Sequence, residues 1–225
     1  MRKMQSSIVY NLLQILRRLR YFFVFRSFQD FTMIPRKTYV ANLELCRHYI
    51  GIAGDIVECG TWKGGMIAGM VSILGADRVY YLFDSFEGLP EVKEIDGLAA
   101  KAWQSDTNNV HYFNNCSAEE GDARKAMTRS GARHYRIHKG WFSESMETFS
   151  SLNGIAILRL DADWYDSTMV CLVHLFPKIN KGGMLILDDY YTWEGCSKAI
   201  HDYLSTNQLP YRIQSYRGIC YLIKK

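Results

Sequence analysis

From Asp55 to the end of the chain, short β-branched and aromatic runs alternate with stretches of helical period, a pattern that predicts parallel βαβ units. "DIVECG" (55–60) reads as a first strand, and "KGGMIAGMVSILG" as a helix carrying Met66, Ile67, Met70 and Ile73 on one face. "DRVYYLFDSFEG" is a second strand ending at Asp84, and "RHYRIHKGW" a third. "IAILRLDAD" and "GGMLILDDY" are continuous apolar runs, as expected of central strands covered on both faces. The closing "YRIQSYRGICYLIKK" holds two strand-like runs about a turn at Arg217 and Gly218, which predicts a terminal hairpin adding an antiparallel strand. Between them, the stretch from Glu91 to Gly131 is polar, ambiguous in period and long enough to form a lid over a site.

The first 30 residues follow a different pattern. Ile8, Leu12, Ile15, Leu19 and Phe22 recur at alternating steps of four and three, the signature of an apolar stripe along a helix. Six cations (Arg2, Lys3, Arg17, Arg18, Arg20, Arg26) and no acid lie within residues 1–29. "RRLR" interrupts the stripe well short of the roughly 20 apolar residues of a membrane span. It also stands where a secretory signal would place small residues. Two readings of this basic amphipathic helix stand: a dimerisation helix, giving a homo-oligomer, and a helix lying on an anionic membrane surface. Residues 31–225 are expected to form a single domain, since 225 residues with 48% hydrophobic content fill one core rather than two.

Charge and cysteine usage narrow the function. The net charge of +4 resides in the first helix; beyond it, 21 cations face 23 acids, and a body so near neutrality offers no footprint for nucleic acid. The six cysteines form no CxxC pair and read as reduced thiols, which suits the cytoplasm.

The unusual residues gather at the carboxyl ends of the predicted strands, where a doubly wound sheet opens its crevice. Glu58 and Gly60 close the first strand, and Gly60, Gly64 and Gly65 surround the turn into the helix. Glycines there let backbone N–H groups approach a ligand at a helix N-terminus. The spacing is G-x-x-x-G-G rather than G-x-G-x-x-G, and Trp62 fills the place a pyrophosphate would need. A ligand without phosphates is therefore favoured, and Asp84, at the end of the second strand, stands where an acid accepts hydrogen bonds from ribose hydroxyls. Plain loop chemistry accounts for each feature taken singly. On consecutive strands, the pair favours a nucleoside.

"RLDADWYDST" and "LILDDYY" each end an apolar run in two acids. If the two strands are neighbours, Asp161, Asp163, Asp188 and Asp189 crowd together about 5 Å from strand to strand. Like charges so close raise one another's pKa, and a hard cation with oxygen ligands, Mg²⁺ first, would compensate them. The alternative is that these acids cap the helices that follow.

"GDIVECGTWKGG", "FDSFEGLPE", "KGWF", "LRLDADWYDST" and "GGMLILDDY" together resemble, in order, the motifs of the macrocin O-methyltransferase (TylF/MycF/NovP-like) family, which methylates sugar hydroxyls with S-adenosylmethionine (SAM) and Mg²⁺. The similarity runs from "TMIPRKTYV" near residue 32 to the terminal hairpin. It implies an α/β class I SAM-dependent methyltransferase fold, a Rossmann-like three-layer sandwich whose seven-stranded, mostly parallel sheet ends in an antiparallel hairpin. By the same resemblance Met33, Glu58, Gly60, Thr61, Trp62, Gly64, Asp84, Ser85, Phe86, Gly140 and Trp141 bind the cofactor; Asp161, Asp188 and Asp189 hold the metal; and Asp163 is the general base. With three Asp filling part of an octahedral Mg²⁺, two open positions suit adjacent hydroxyls, so a glycosyl or other vicinal-diol small molecule is the expected acceptor. Trp103, Trp141, Trp164 and Trp193 are candidates for stacking on a sugar face, Trp141 foremost, although aromatic residues near strand ends more often pack the rim. Arg159 reads as charge balance beside the acids. A nicotinamide-dependent sugar oxidoreductase and a non-catalytic SAM-binding interaction module are the alternatives. Absent glycine spacing and Trp62 count against the first, and the complete set of four acids against the second.

Overall fold

The computed structural model describes residues 2–147, 149 and 154–225, with side chains from residue 15 onward. Ile8 and Leu12 of the predicted apolar stripe thus lie outside the described side chains.

Seven strands form one sheet: β1 (Asp55–Cys59), β2 (Val79–Asp84), β3 (His134–Lys139), β4 (Ile155–Leu160), β5 (Ile179–Leu187), β6 (Gln214–Tyr216) and β7 (Ile219–Ile223). Their order is β3-β2-β1-β4-β5-β7-β6; the first five run parallel, and β7 is antiparallel to both β5 and β6. The winding reverses between β1 and β4, which opens a crevice at their carboxyl ends. The two continuous apolar runs become β4, buried along its whole length, and the second half of β5, buried from Gly183 to Leu187; β1 is buried throughout as well. The edge strands are the polar ones: β3 alternates exposed and half-buried positions, and β6 is three residues long, which limits the unpaired edge.

Helices cover both faces. On one lie α1 (Arg2–Phe28), α2 (Arg36–Arg47), α3 (Gly65–Leu74) and α5 (Glu120–Ser130), packed around Ile56, Tyr80, Ile157 and Ile186. On the other, α7 (Tyr165–Leu175) and α8 (Glu194–Thr206) pack on Val57, Leu158, Leu185 and Leu222. Two short helices, α4 (Leu98–Ser105) and α6 (Phe142–Ser145), border the carboxyl ends. Of the polar stretch 91–131, the earlier part spans the crevice, whereas α5 buries Ala123, Ala126 and Met127 beside α3. The described architecture is the three-layer α/β sandwich, with a seven-stranded, mostly parallel sheet and a terminal antiparallel hairpin, that the family resemblance implies.

The α3 helix is buried on nearly every side, more than a single apolar face requires. Gly69, a helix-interior glycine that costs about 1 kcal/mol relative to Ala, is explained by its neighbour. A Cβ at Gly69 would stand 1.9 Å from the Tyr39 hydroxyl, which donates to the Gly65 carbonyl at 2.8 Å and so ties α2 to α3. Gly69→Ala should destabilise the fold by about 1–3 kcal/mol through overpacking. Tyr39→Phe should cost about 1 kcal/mol from the lost bond. In urea unfolding the double variant should lose less than the sum, because removing the hydroxyl relieves part of the clash.

Candidate active site

The donor side is built where β1 meets α3. Gly60 has φ +80°, and a Cβ there would lie 1.7 Å from the Asp161 carbonyl oxygen, so the β1 loop rests directly on the backbone that follows β4. Trp62 is also left-handed (φ 47°). Its N–H donates to Asp84 Oδ2 at 2.7 Å while the Phe86 N–H donates to Oδ1 at 2.7 Å, and its indole donates to the Ser117 carbonyl at 3.0 Å. Burial raises the Asp84 pKa against the opposing pull of these N–H groups. Each carboxylate oxygen keeps a further lone pair for a ligand hydroxyl. A cavity of about 440 Å³ opens here, with Met33, Gly60, Trp62, Asp84, Ser85, Gly140 and Trp141 in its wall. Glu58 and Thr61 line a second cavity, which shares Met33, Gly60 and Trp62 with the first; both are buried, and Glu58 Oε2 and Thr61 Oγ1 have no hydrogen-bond partner among the described residues. Unpaired buried oxygens beside a nucleoside-sized cavity fit a cofactor with a polar amino-acid end. Two predicted residues stand apart from the walls: Gly64 is the N-cap of α3 against Ala123, and Phe86 packs into the core.

The acids surround one cation. Glu58 and Arg159 are direct neighbours in the β1–β4 register, and Leu160 pairs with Leu187, so Asp161 and Asp188 emerge side by side. The fully buried Arg159 guanidinium lies 2.9 Å from Glu58 Oε1, 2.8 Å from Asp161 Oδ2 and 2.7 Å from Asp188 Oδ1. Burial pushes the Glu58 carboxyl up to about 8, with Arg159 pulling it down, and raises Asp161 to about 6 under the same opposition. Asp163, left-handed at φ 54°, is held by the Trp193 indole N–H on Oδ1 at 2.9 Å and gives its own N–H to Asp189 Oδ2 at 3.2 Å. Its pKa is pushed up to about 8 by burial and then by Asp161; that of Asp189 rises by burial and then by Asp163.

Carboxylate oxygens of Asp161, Asp163 and Asp189 all lie within 4.8 Å of one another. Asp188, expected in this group, instead directs Oδ1 to Arg159, and Asp163, expected beside the group, lies inside it. Five carboxyl groups facing one guanidinium cannot all ionise unaided, and a set of oxygen donors alone fits a hard divalent cation that would offset their charge.

The second cavity, also about 440 Å³, contains these acids and is walled by aromatic rings, among them Phe31, Trp103, Phe113, Tyr191 and Trp193. Of the four tryptophans singled out in the sequence, Trp141 and Trp164 line the first cavity, whereas Trp103 and Trp193 line this one. Trp103, from α4, packs against Trp164 and Trp193 at 6.1 and 5.9 Å between ring centres. Asp96 anchors the covering segment: it is buried and accepts the Tyr165 N–H at 2.7 Å and the Lys93 N–H at 2.8 Å.

Arg159, Trp193 and Asp96 are the residues that sequence reasoning undervalued. A charged residue inside an apolar strand was the available signal for Arg159. For Trp193 and Asp96 the partners are distant in sequence, and no local pattern marks them.

The chain has relatives. A family model described as macrocin-O-methyltransferase (TylF) matches residues 26–225. Demethyldecarbamoylnovobiocin O-methyltransferase of Streptomyces niveus is 34% identical over 186 residues, covering 76% of this chain and 67% of that protein. An 8-demethyl-8-(2,3-dimethoxy-alpha-L-rhamnosyl)-tetracenomycin-C 4'-O-methyltransferase of Streptomyces olivaceus is 34% identical over 182 residues, with coverage of 76% and 67%. The solved structure of the O-methyltransferase NovP superposes with a TM-score of 0.71 at 27% identity, covering 87% of this chain and 82% of that one. With the donor loop, the strand-end acids and the sheet order in place, this chain belongs to the macrocin O-methyltransferase family of SAM-dependent methyltransferases.

Proposed function

We propose that this enzyme methylates one hydroxyl of a vicinal diol on a glycosyl acceptor, using SAM as donor and Mg²⁺ held by the strand-end acids. The observation that carries this reading is the position of Asp161 and Asp163, which stand in the walls of both cavities. Methyl transfer requires donor and acceptor to meet in line at near-contact distance, and the shared wall is where two such ligands meet. SAM supplies a methyl group on a good leaving group, so the protein's task is to align an oxygen and take its proton. Bound Mg²⁺ would lower the pKa of an alcohol and fix its direction. Asp163 suits the proton transfer: Trp193 occupies Oδ1, which leaves Oδ2 to accept the hydroxyl proton. The aromatic wall favours a sugar, whose apolar face stacks on rings, and a relative named for a rhamnosyl compound supports the same class.

For the metal, Asp161 and Asp189 are ligands on both the family resemblance and the geometry; we assign the third place to Asp188, whose second oxygen is not engaged by Arg159. Arg159 is then a positioning residue, holding Asp161 and Asp188 in place while offsetting part of their charge.

Three outcomes are expected. Asp163→Asn should lower turnover at least about 100-fold, the usual scale of general-base catalysis, while calorimetric affinity for S-adenosylhomocysteine and Mg²⁺ stays within a few-fold. Loss of Mg²⁺ binding in this variant would make Asp163 the third ligand instead. Asp188→Asn should weaken Mg²⁺ binding. Wild-type protein should give heat with S-adenosylhomocysteine and none with NAD; heat from NAD alone would overturn the donor assignment.

Arg159→Met should destabilise the protein by about 3–5 kcal/mol, because it leaves buried acids unpaired. The sign of its pH dependence follows from Glu58, whose folded pKa of about 8 lies above its ordinary 4.5. An acid that binds its proton more tightly when folded loses stability as pH rises through that interval. Removing Arg159 raises the folded pKa further, so the deficit in unfolding experiments should be larger at pH 8 than at pH 5.

A further inference from the structure

The family match begins at residue 26, so nearly all of the 27-residue α1 lies outside it. Its inner side is seated on the body: Tyr21 and Phe28 are buried, and Arg20 donates to the Ser72 carbonyl at 2.5 Å. At 3.6 residues per turn, Ile15, Leu16, Leu19, Phe22 and Phe23 fall on the opposite side. They are exposed, Phe23 by 63% and Leu16 by 54%. Cations adjoin this stripe. Arg18 and Arg26 are exposed on the same helix, the Arg36 guanidinium lies 5.8 Å from the Phe22 ring centre, and α1 contains no acid. Beside Phe23, a groove of about 630 Å³ between α1, α3 and α5 is lined by Arg20, Arg26 and Arg129 and by no carboxylate.

We propose that α1 docks the enzyme on an anionic lipid surface, its apolar stripe in the acyl boundary and its arginines on headgroup phosphates. Charge complementarity selects this occupant. A helix with apolar residues opposite the body and arginines beside them suits an interface rich in phosphate. Pairing with a second copy through the same stripe would set arginines against arginines across a two-fold axis, with no carboxylate on α1 to receive them. Among the described residues no helix is long and apolar enough to cross a membrane, so the attachment is peripheral.

Flotation of the full chain with phosphatidylcholine vesicles, with and without phosphatidylglycerol, tests this. The protein should float with anionic vesicles, weakly or not at all with neutral ones, and less at high salt. Leu19→Ser with Phe23→Ser should cut the bound fraction about tenfold or more. Arg18→Ser with Arg26→Ser should cut binding about fivefold per cation. Both pairs lie on the exposed surface, and circular dichroism with S-adenosylhomocysteine calorimetry establishes that each variant is folded; if one pair fails to fold, the other carries the test. Equal binding to neutral vesicles would overturn the proposal. So would absence of flotation, or a sedimenting dimer that the Leu19 and Phe23 changes dissociate.

Discussion

The Arg159 guanidinium, buried between Glu58, Asp161 and Asp188, is the interaction on which the rest of the site depends. Two central strands deliver it and its first partner side by side, and the next residues along the chain deliver the other two. Without it, acids in a half-dry crevice would protonate or splay apart, since each charge out of water must be paired. With it, two of the four strand-end carboxylates are fixed in direction, while Asp163 and Asp189 have no cation of their own among the described residues. The same bond network that stabilises the sheet centre therefore sets the electrostatic character of the crevice.

Much of this was legible in the residues. Strands β1, β2, β4 and β5 announce themselves because central parallel strands are predominantly apolar, and the crevice follows from where those runs stop. The terminal hairpin is equally plain from its turn at Arg217 and Gly218. Side-chain direction was less accessible. That Asp188 turns to Arg159 while Asp163 joins Asp161 and Asp189 depends on the β4–β5 register and on a left-handed backbone at Asp163, neither of which has a local sequence signature. The covering segment was similarly opaque. Its order comes from distant partners, Asp96 with the start of α7 and Trp103 with Trp164 and Trp193.

The chain thus combines the domain that the family model covers with an N-terminal helix that lies almost wholly outside that match. The two adjoin at residues 29–35. Phe31 and Met33, which follow α1, are already part of the wall around the acids. The helix that carries the exposed apolar stripe is joined to the second cavity by a few residues of backbone.

The contact at Gly60 has a mechanical meaning. Because nothing larger than a hydrogen separates that residue from the Asp161 carbonyl, the loop that cradles the donor and the loop that carries the acids are braced against each other. Neither shifts without pushing its neighbour. On the proposed assignment, alignment along the S–CH₃···O line is inherited from the fixed spacing of two adjacent strands.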